Sequence, residues 1–325
     1  MRSIRRRILF TVLLCLVIVV IGGAYRAALY APGPLTTEKT VLIEPGMSVV
    51  AISEHLKREQ VIDASWLLLS YAKLTGQDRR IKAGEYRFPA GISIMQTLHH
   101  LEQGRTIFYA VTIPEGLTTQ QVVRLLEGDA RLTGQATATP EEGSLLPETY
   151  FIQRGDTVES LIVRMREAMN EAREKVWQAR TADLPLNNPQ DLVILASIIE
   201  RETGVRDERA RVAGVFINRL RRGMRLQSDP TVIYGLSEGT GTINRPLLRR
   251  DLKHESPYNT YLHRGLPPGA IANPGLASLQ AAANPLDTDE LYFVADGTGG
   301  HVFAKTLEQH NKNVRQWRQV RDRQQ

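Results

Sequence analysis

Eighteen consecutive residues without a charge, 8–25, set the first limit on this chain. A run of that length just reaches across the hydrocarbon core of a bilayer as a helix, with every backbone group bonded inside the segment. Arg2, Arg5, Arg6 and Arg7 precede the run and Arg26 closes it. The positive-inside rule therefore keeps the N-terminus cytoplasmic and exports everything after Arg26. No Ala-x-Ala-like cleavage pattern ends the run, which favours an uncleaved inner-membrane anchor over a signal peptide. The five arginines carry five of the six net positive charges. The exported part is thus close to neutral and lacks the basic footprint of a nucleic-acid binder. Cys15, the sole cysteine, lies inside the run, so neither an intramolecular disulfide nor a cysteine metal site is available.

At 325 residues the chain has room for about two domains. Four segments follow from the sequence: a tail and transmembrane helix at 1–26, a linker at 27–39 stiffened by Pro32 and Pro34, a small module at 40–105, and a larger domain at 106–325. In the module, strand signals at 41–43 and 84–88 alternate with helix signals at 48–57, 64–74 and 93–101, an α+β order able to fold alone. The stretch KAGEYRF at 82–88 resembles the second half of a LysM-like module, a family that binds N-acetylated sugars. The segment between its helices is longer than that family's, so sugar binding and a purely structural spacer both stand.

In the larger domain a strand at 108–113 leads into a helix at 119–127, and residues 129–142 read as a surface loop. LLPETY at 145–150 combines apolar groups, a proline-fixed turn and Glu148. The charged helix at 158–180 has the pattern of a solvated brace. Residues 249–269 form a long irregular loop, 291–303 a hairpin, and the last helix sets Leu307, Val314 and Trp317 in one stripe.

LVILASIIERET at 192–203 is the centre of the domain, a buried helix with two glutamates near its end. At 100° per residue Glu202 falls in the apolar arc with Leu195 and Ile198, and Glu200 about 160° away. A carboxyl on the core side ionises reluctantly and suits a general acid; a helix-end glutamate salt-bridged to a nearby arginine is the alternative. Arg219 also falls within an apolar arc, which leaves snorkelling along its helix or pairing with a buried carboxylate or substrate.

Other chemistry lacks its residues. The histidines do not form His-Glu-x-x-His, DGTGG lacks the helix and spacing of a phosphate loop, and no Gly-x-Ser-x-Gly elbow occurs. What remains is Glu202-Thr203, then Gln227-Ser228-Asp229, then Tyr258-Asn259-Thr260-Tyr261. Tyrosine faces suit sugar rings, and Gln227 and Asn259 can bond hydroxyls or acetamides.

The segments LASIIERETGVRDERARVAGVFINRLRRGMRLQSDPTVIYG, SPYNTYLHRGLPPGAIANPG and LYFVADGTGGHVF resemble the endolytic murein transglycosylase, or YceG-like, family. The likeness covers the exported chain and the anchor. The second glutamate of the family's Glu-x-Glu-Thr motif, its catalytic acid, falls on Glu202. Glu202-Thr203, Leu226-Gln227 and Tyr258-Asn259 also resemble motifs of lysozyme-like transglycosylases, with several positions changed. The fold implied is α+β: one transmembrane helix, a LysM-like module, and a catalytic domain with a lysozyme-like active-site helix. The resemblance implies a lyase that needs no cofactor or metal and cuts the bond between N-acetylmuramic acid and N-acetylglucosamine within peptidoglycan strands. Glu202 alone would serve as acid and base. Arg219, Gln227, Ser228, Asp229, Tyr258, Asn259, Tyr261 and Glu148 are the candidate substrate contacts, and peptidoglycan synthases are implied partners. A water-using muramidase, with Asp229 or Glu148 as second carboxylate, and an anchored glycan-binding scaffold are the competing readings.

Overall fold

The computed structural model describes residues 2–324; Met1 and Gln325, which end the segments expected at 1–26 and 106–325, lie outside the described residues. The fold mixes helix and strand in two units, Met1–Tyr109 with Phe151–Gly155, and Ala110–Tyr150 with Asp156–Gln325.

The first unit opens with α1 (Arg2–Tyr30). Its stretch Ile4–Tyr30 is long and apolar enough to cross a membrane, which fits a single-pass anchor. A linker starting at residue 27 is corrected by the structure: the helix continues to Tyr30. Leu29 is buried there, and the Tyr25 hydroxyl meets Ser70 Oγ at 2.9 Å, so tertiary contact holds turns that sequence periodicity does not demand. β1 (Lys39–Ile43) pairs antiparallel with β2 (Gly84–Phe88), Val41 opposite Tyr86. Between them lie α2 (Val49–Arg58), whose first turn is capped by Ser48, and α3 (Ser65–Thr75). α4 (Ile94–Gln103) follows, opened by a Ser93–Gln96 capping box that satisfies two orphan donors at once. Tyr86, Phe88, Leu56, Leu68 and Leu101 fill the core.

β3 (Tyr109–Thr112) pairs with β4 (Thr149–Ile152), and the chain passes between units within these two strands. β4 stands partly where the sequence indicates a turn. Buried Tyr150 and Ile152 alternate with exposed Thr149 and Phe151, a period too short to be legible in four residues.

The second unit adds α5 (Thr119–Glu127), α6 (Val158–Gln178), α7 (Pro189–Glu202), α8 (Arg209–Arg221), α9 (Asp229–Leu236) and α10 (Leu276–Ala283). A hairpin of β5 (Tyr292–Ala295) and β6 (His301–Ala304) turns through DGTGG, and α11 (Leu307–Gln324) follows. α6 is not a solvated brace. Leu161, Ile162, Met165, Met169 and Val176 are buried at helical spacing under its charged outer face. α7, α8 and α10 meet in the core, where Leu195, Ile198, Phe216 and Leu279 are all buried.

Candidate active site

Asn188 caps α7 by accepting from the N–H groups of Gln190 and Asp191, and Pro189 supplies a first-turn residue that needs no donor. Every residue from Leu192 to Ile199 is buried, so the helix has no solvent face over this length. The two glutamates lie on opposite faces as expected, but both faces are covered, so Glu200 is sheltered as well as Glu202. Partners distinguish them. Glu200 Oε1 lies 3.1 Å from Arg209 Nη2, with the two side chains 5% and 8% exposed, and Glu200 Oε2 accepts from the Gly275 N–H at 3.0 Å. Its charge is matched within the fold.

Glu202, at the end of α7, has no ion pair among the described residues. Ser228 Oγ donates to its Oε1 at 2.5 Å. Burial pushes its carboxyl up to about 7 against an ordinary 4.5, and the Asp229 charge adds to the rise. The Ser228 hydrogen bond, His301 and Arg219 oppose it without cancelling it. A carboxylic acid that keeps its proton near neutral pH results.

Glu202 opens into a cleft of ≈ 570 Å³, shared with Arg219, Gln227, Asp229 and Tyr261. Asp229 begins α9 and accepts from the Tyr261 hydroxyl at 2.6 Å. Gln227 is exposed and holds φ +51°, a left-handed conformation that a non-glycine residue keeps only where its surroundings impose it. Its backbone N–H donates to Thr260 O at 3.2 Å, and its amide faces the cleft.

Other expected contacts have structural roles in this fold. Ser228, 1% exposed, reaches Glu202 rather than open space. Arg219 neither snorkels nor ion-pairs: Nε donates to Leu291 O at 2.7 Å and Nη1 to Leu226 O at 2.6 Å. The guanidinium ties hairpin to turn, with its carbon 5.3 Å from the centre of the Tyr292 ring. Asn259 is fully buried. Its amide donates to Leu252 O and His254 O, and its Oδ1 accepts from the Tyr261 N–H. It organises the loop that presents Tyr261. Tyr258 packs tilted against Tyr234, ring centres 4.8 Å apart, and does not line the cleft. Glu148 is exposed, accepts from the Thr149 N–H, and lies outside the cleft. Glu202 is also not alone in having a raised pKa. Burial lifts Glu115 and Glu142 as well, but neither lines this cleft. Glu142 accepts from Thr119, Tyr234 and Asn273, which hold a sheltered carboxyl in place.

The far wall was not legible from the sequence. It comes from the hairpin and α11 through Tyr292, Phe293, His301, His310, Asn311 and Trp317. The stripe of Leu307, Val314 and Trp317 was visible as a helical period, but its facing a cleft instead of a core was not.

An α+β protein with one uncompensated, proton-holding carboxyl in an open cleft belongs to the class of acid–base catalysts. The relatives give that class a family. A family model described as YceG-like matches residues 41–316. An endolytic murein transglycosylase of Bacillus subtilis is 32% identical over 331 residues, covering 90% of this chain and 89% of that protein. One from Streptococcus pneumoniae D39 is 30% identical and covers 85% of this chain, which spans only 57% of that protein's length. A crystal structure of a yceG-like protein from Listeria monocytogenes aligns with 85% of this chain and 98% of its own, at 30% identity and a TM-score of 0.50. The chain belongs to the YceG-like family.

Proposed function

We propose that this protein is an endolytic peptidoglycan lytic transglycosylase, a lyase that cleaves the β-1,4 bond between N-acetylmuramic acid and N-acetylglucosamine within glycan strands. The observation that carries the reading is a buried carboxyl opening into a cleft, its pKa pushed up to about 7 by burial, with no ion pair to it among the described residues. Protonated Glu202 donates to the leaving oxygen as positive charge develops on the muramic ring. The muramic 6-hydroxyl attacks the anomeric carbon and closes a 1,6-anhydro ring, so no water is consumed. In the simplest cycle the Glu202 carboxylate then takes the hydroxyl's proton. Gln227, Asp229 and Tyr261 are the substrate contacts along the cleft, Arg219 lines it with its guanidinium bonded to backbone carbonyls, and Asn259 and Ser228 shape it from behind.

In this reading α1 anchors the protein in the inner membrane with its N-terminus cytoplasmic and everything after α1 exported. Residues 40–105 form a LysM-like module, and peptidoglycan synthases are the partners that supply the strands. Termination of elongation is the expected role.

Asp229 sits in the same cleft and gives a water-using muramidase its second carboxylate. Mass spectrometry of fragments from purified glycan strands, treated with the full chain in detergent, separates the two readings. Products lacking one water support the transglycosylase, hydrated ends the muramidase, and no release of fragments the scaffold.

The cleft electrostatics give a signed prediction. Asp229 raises the Glu202 pKa by like charge, so Asp229→Asn lowers it and the alkaline limb of the pH–rate profile moves to lower pH. A limb that stays in place or moves upward contradicts the arrangement.

A further inference from the structure

The single-carboxyl cycle uses Glu202 twice, once at the leaving oxygen and once at the attacking hydroxyl. The same cleft holds a second proton-handling group. His301, first residue of β6, lines the cleft with Glu202. Its Nδ1 lies 2.7 Å from Glu208 Oε2, and its backbone N–H donates to Glu208 Oε1 at 2.9 Å, so one carboxylate grips both ring and main chain. Thr203, the residue after the acid, donates from Oγ1 to Glu208 Oε2 at 3.4 Å, which links the dyad to the end of α7. The Phe293 ring meets the imidazole edge-on at 5.3 Å and limits its rotation. With Nδ1–H donated to a carboxylate, the neutral ring carries its lone pair on Nε2, the logic by which an acid–histidine pair makes a base. Nε2 makes no hydrogen bond to any described residue and is not among the buried unsatisfied atoms.

We propose that His301, oriented by Glu208, is the base that accepts the proton of the attacking hydroxyl while Glu202 acts as the acid. The inference deepens the transglycosylase reading and rests on it. The Glu202 proton goes to the glycosidic oxygen, and the bond from that oxygen to the anomeric carbon breaks with its electron pair on the oxygen. The 6-hydroxyl oxygen bonds to the anomeric carbon, and its proton passes to His301 Nε2. Imidazolium and carboxylate then share one cleft, and transfer of the proton from Nε2 to Glu202 through the solvent of the cleft restores the starting state. The charged groups around the ring are Glu208, Glu202, Asp296 on its own hairpin, and Arg211, which acts on Glu208's surroundings from above the Phe303 ring at 4.2 Å.

The two cycles differ in their pH–rate profiles. If Glu202 works alone, kcat/KM of the free enzyme needs one protonated group and falls only on the alkaline side. With His301 as base it also falls on the acid side, because a protonated imidazole has no lone pair to accept the hydroxyl's proton. The test uses the full chain in detergent and purified glycan strands, reading anhydro-ended fragments against pH. The expected result is a bell for wild type. His301→Gln loses about 100-fold at the optimum together with its acid limb. Glu208→Gln loses less and keeps the limb, because the ring remains but is no longer held. Imidazole added to His301→Ala restores part of the rate, which it does not do for a residue whose role is packing. A wild-type profile without an acid limb, or His301→Gln within about threefold of wild type with the limb intact, overturns the proposal. Hydrated ends in place of anhydro ends sink the transglycosylase reading instead.

Discussion

Glu202→Gln protein is expected to release anhydro-ended fragments at least about 100-fold more slowly than wild type, in the range set by removal of a general acid. The introduced amide keeps the shape of the side chain and can still accept from Ser228, so a loss of that size reports the missing proton and not a collapsed cleft. The same variant carries an independent stability signature. The folded pKa of Glu202 is about 7 and its ordinary value 4.5. Between those limits the native state holds a proton that the unfolded chain has released. Wild-type stability therefore falls as pH rises from 4.5 to about 7 and levels off above. The amide does not titrate. Glu202→Gln should melt with wild type at about pH 4 and above it at about pH 8, as expected when an active site keeps a destabilised group for function. Near-wild-type turnover would remove Glu202 from the chemistry, and equal melting at both pH values would remove its sheltered setting.

Arg209→Met is expected to lower stability by about 3–5 kcal/mol, the usual range for stranding one member of a buried ion pair. Arg209 bonds Glu200 at 3.1 Å and Glu115 at 3.2 Å from one nitrogen. Glu200 would be left behind in the core with only the Gly275 N–H for its charge. For a unit of this size the thermal midpoint should drop by roughly 10 °C. Glu200→Gln combined with Arg209→Met should recover much of that loss, because no unmatched charge remains. Differential scanning of the four proteins closes the cycle, and additive losses in the double variant would show that the pair is not the unit described. The contrast with Glu202 is the functional point: two glutamates separated by one residue are both sheltered, and the fold supplies a cation to one of them.

Much of the architecture was legible in the sequence because local chemistry produced it. The anchor follows from length and absence of charge, and β2 from alternation at Glu85–Phe88. The α4 terminus follows from Ser93 and the DGTGG hairpin from its glycines. The candidate acid was legible too, but α7 is buried on both faces, so a place in the apolar arc does not by itself set Glu202 apart from Glu200. Asn259 and Arg219 show the limit most clearly. An amide in a tyrosine-rich loop and an arginine in an apolar arc each have donors to satisfy. Whether substrate or backbone carbonyls satisfy them depends on which carbonyls the rest of the chain brings near.

By itself the sequence determined a helix fit to cross a membrane, two clusters of alternating elements, and an acid at position 202 within an apolar run. Those properties depend on residues close together along the chain. Tertiary structure alone decided that Arg209 neutralises Glu200, that Glu202 meets Ser228 and Asp229, and that His301 and α11 close the other side of the cleft. Burial and charge compensation depend on distance in space, and residues far apart along the chain contribute to them on equal terms with neighbours.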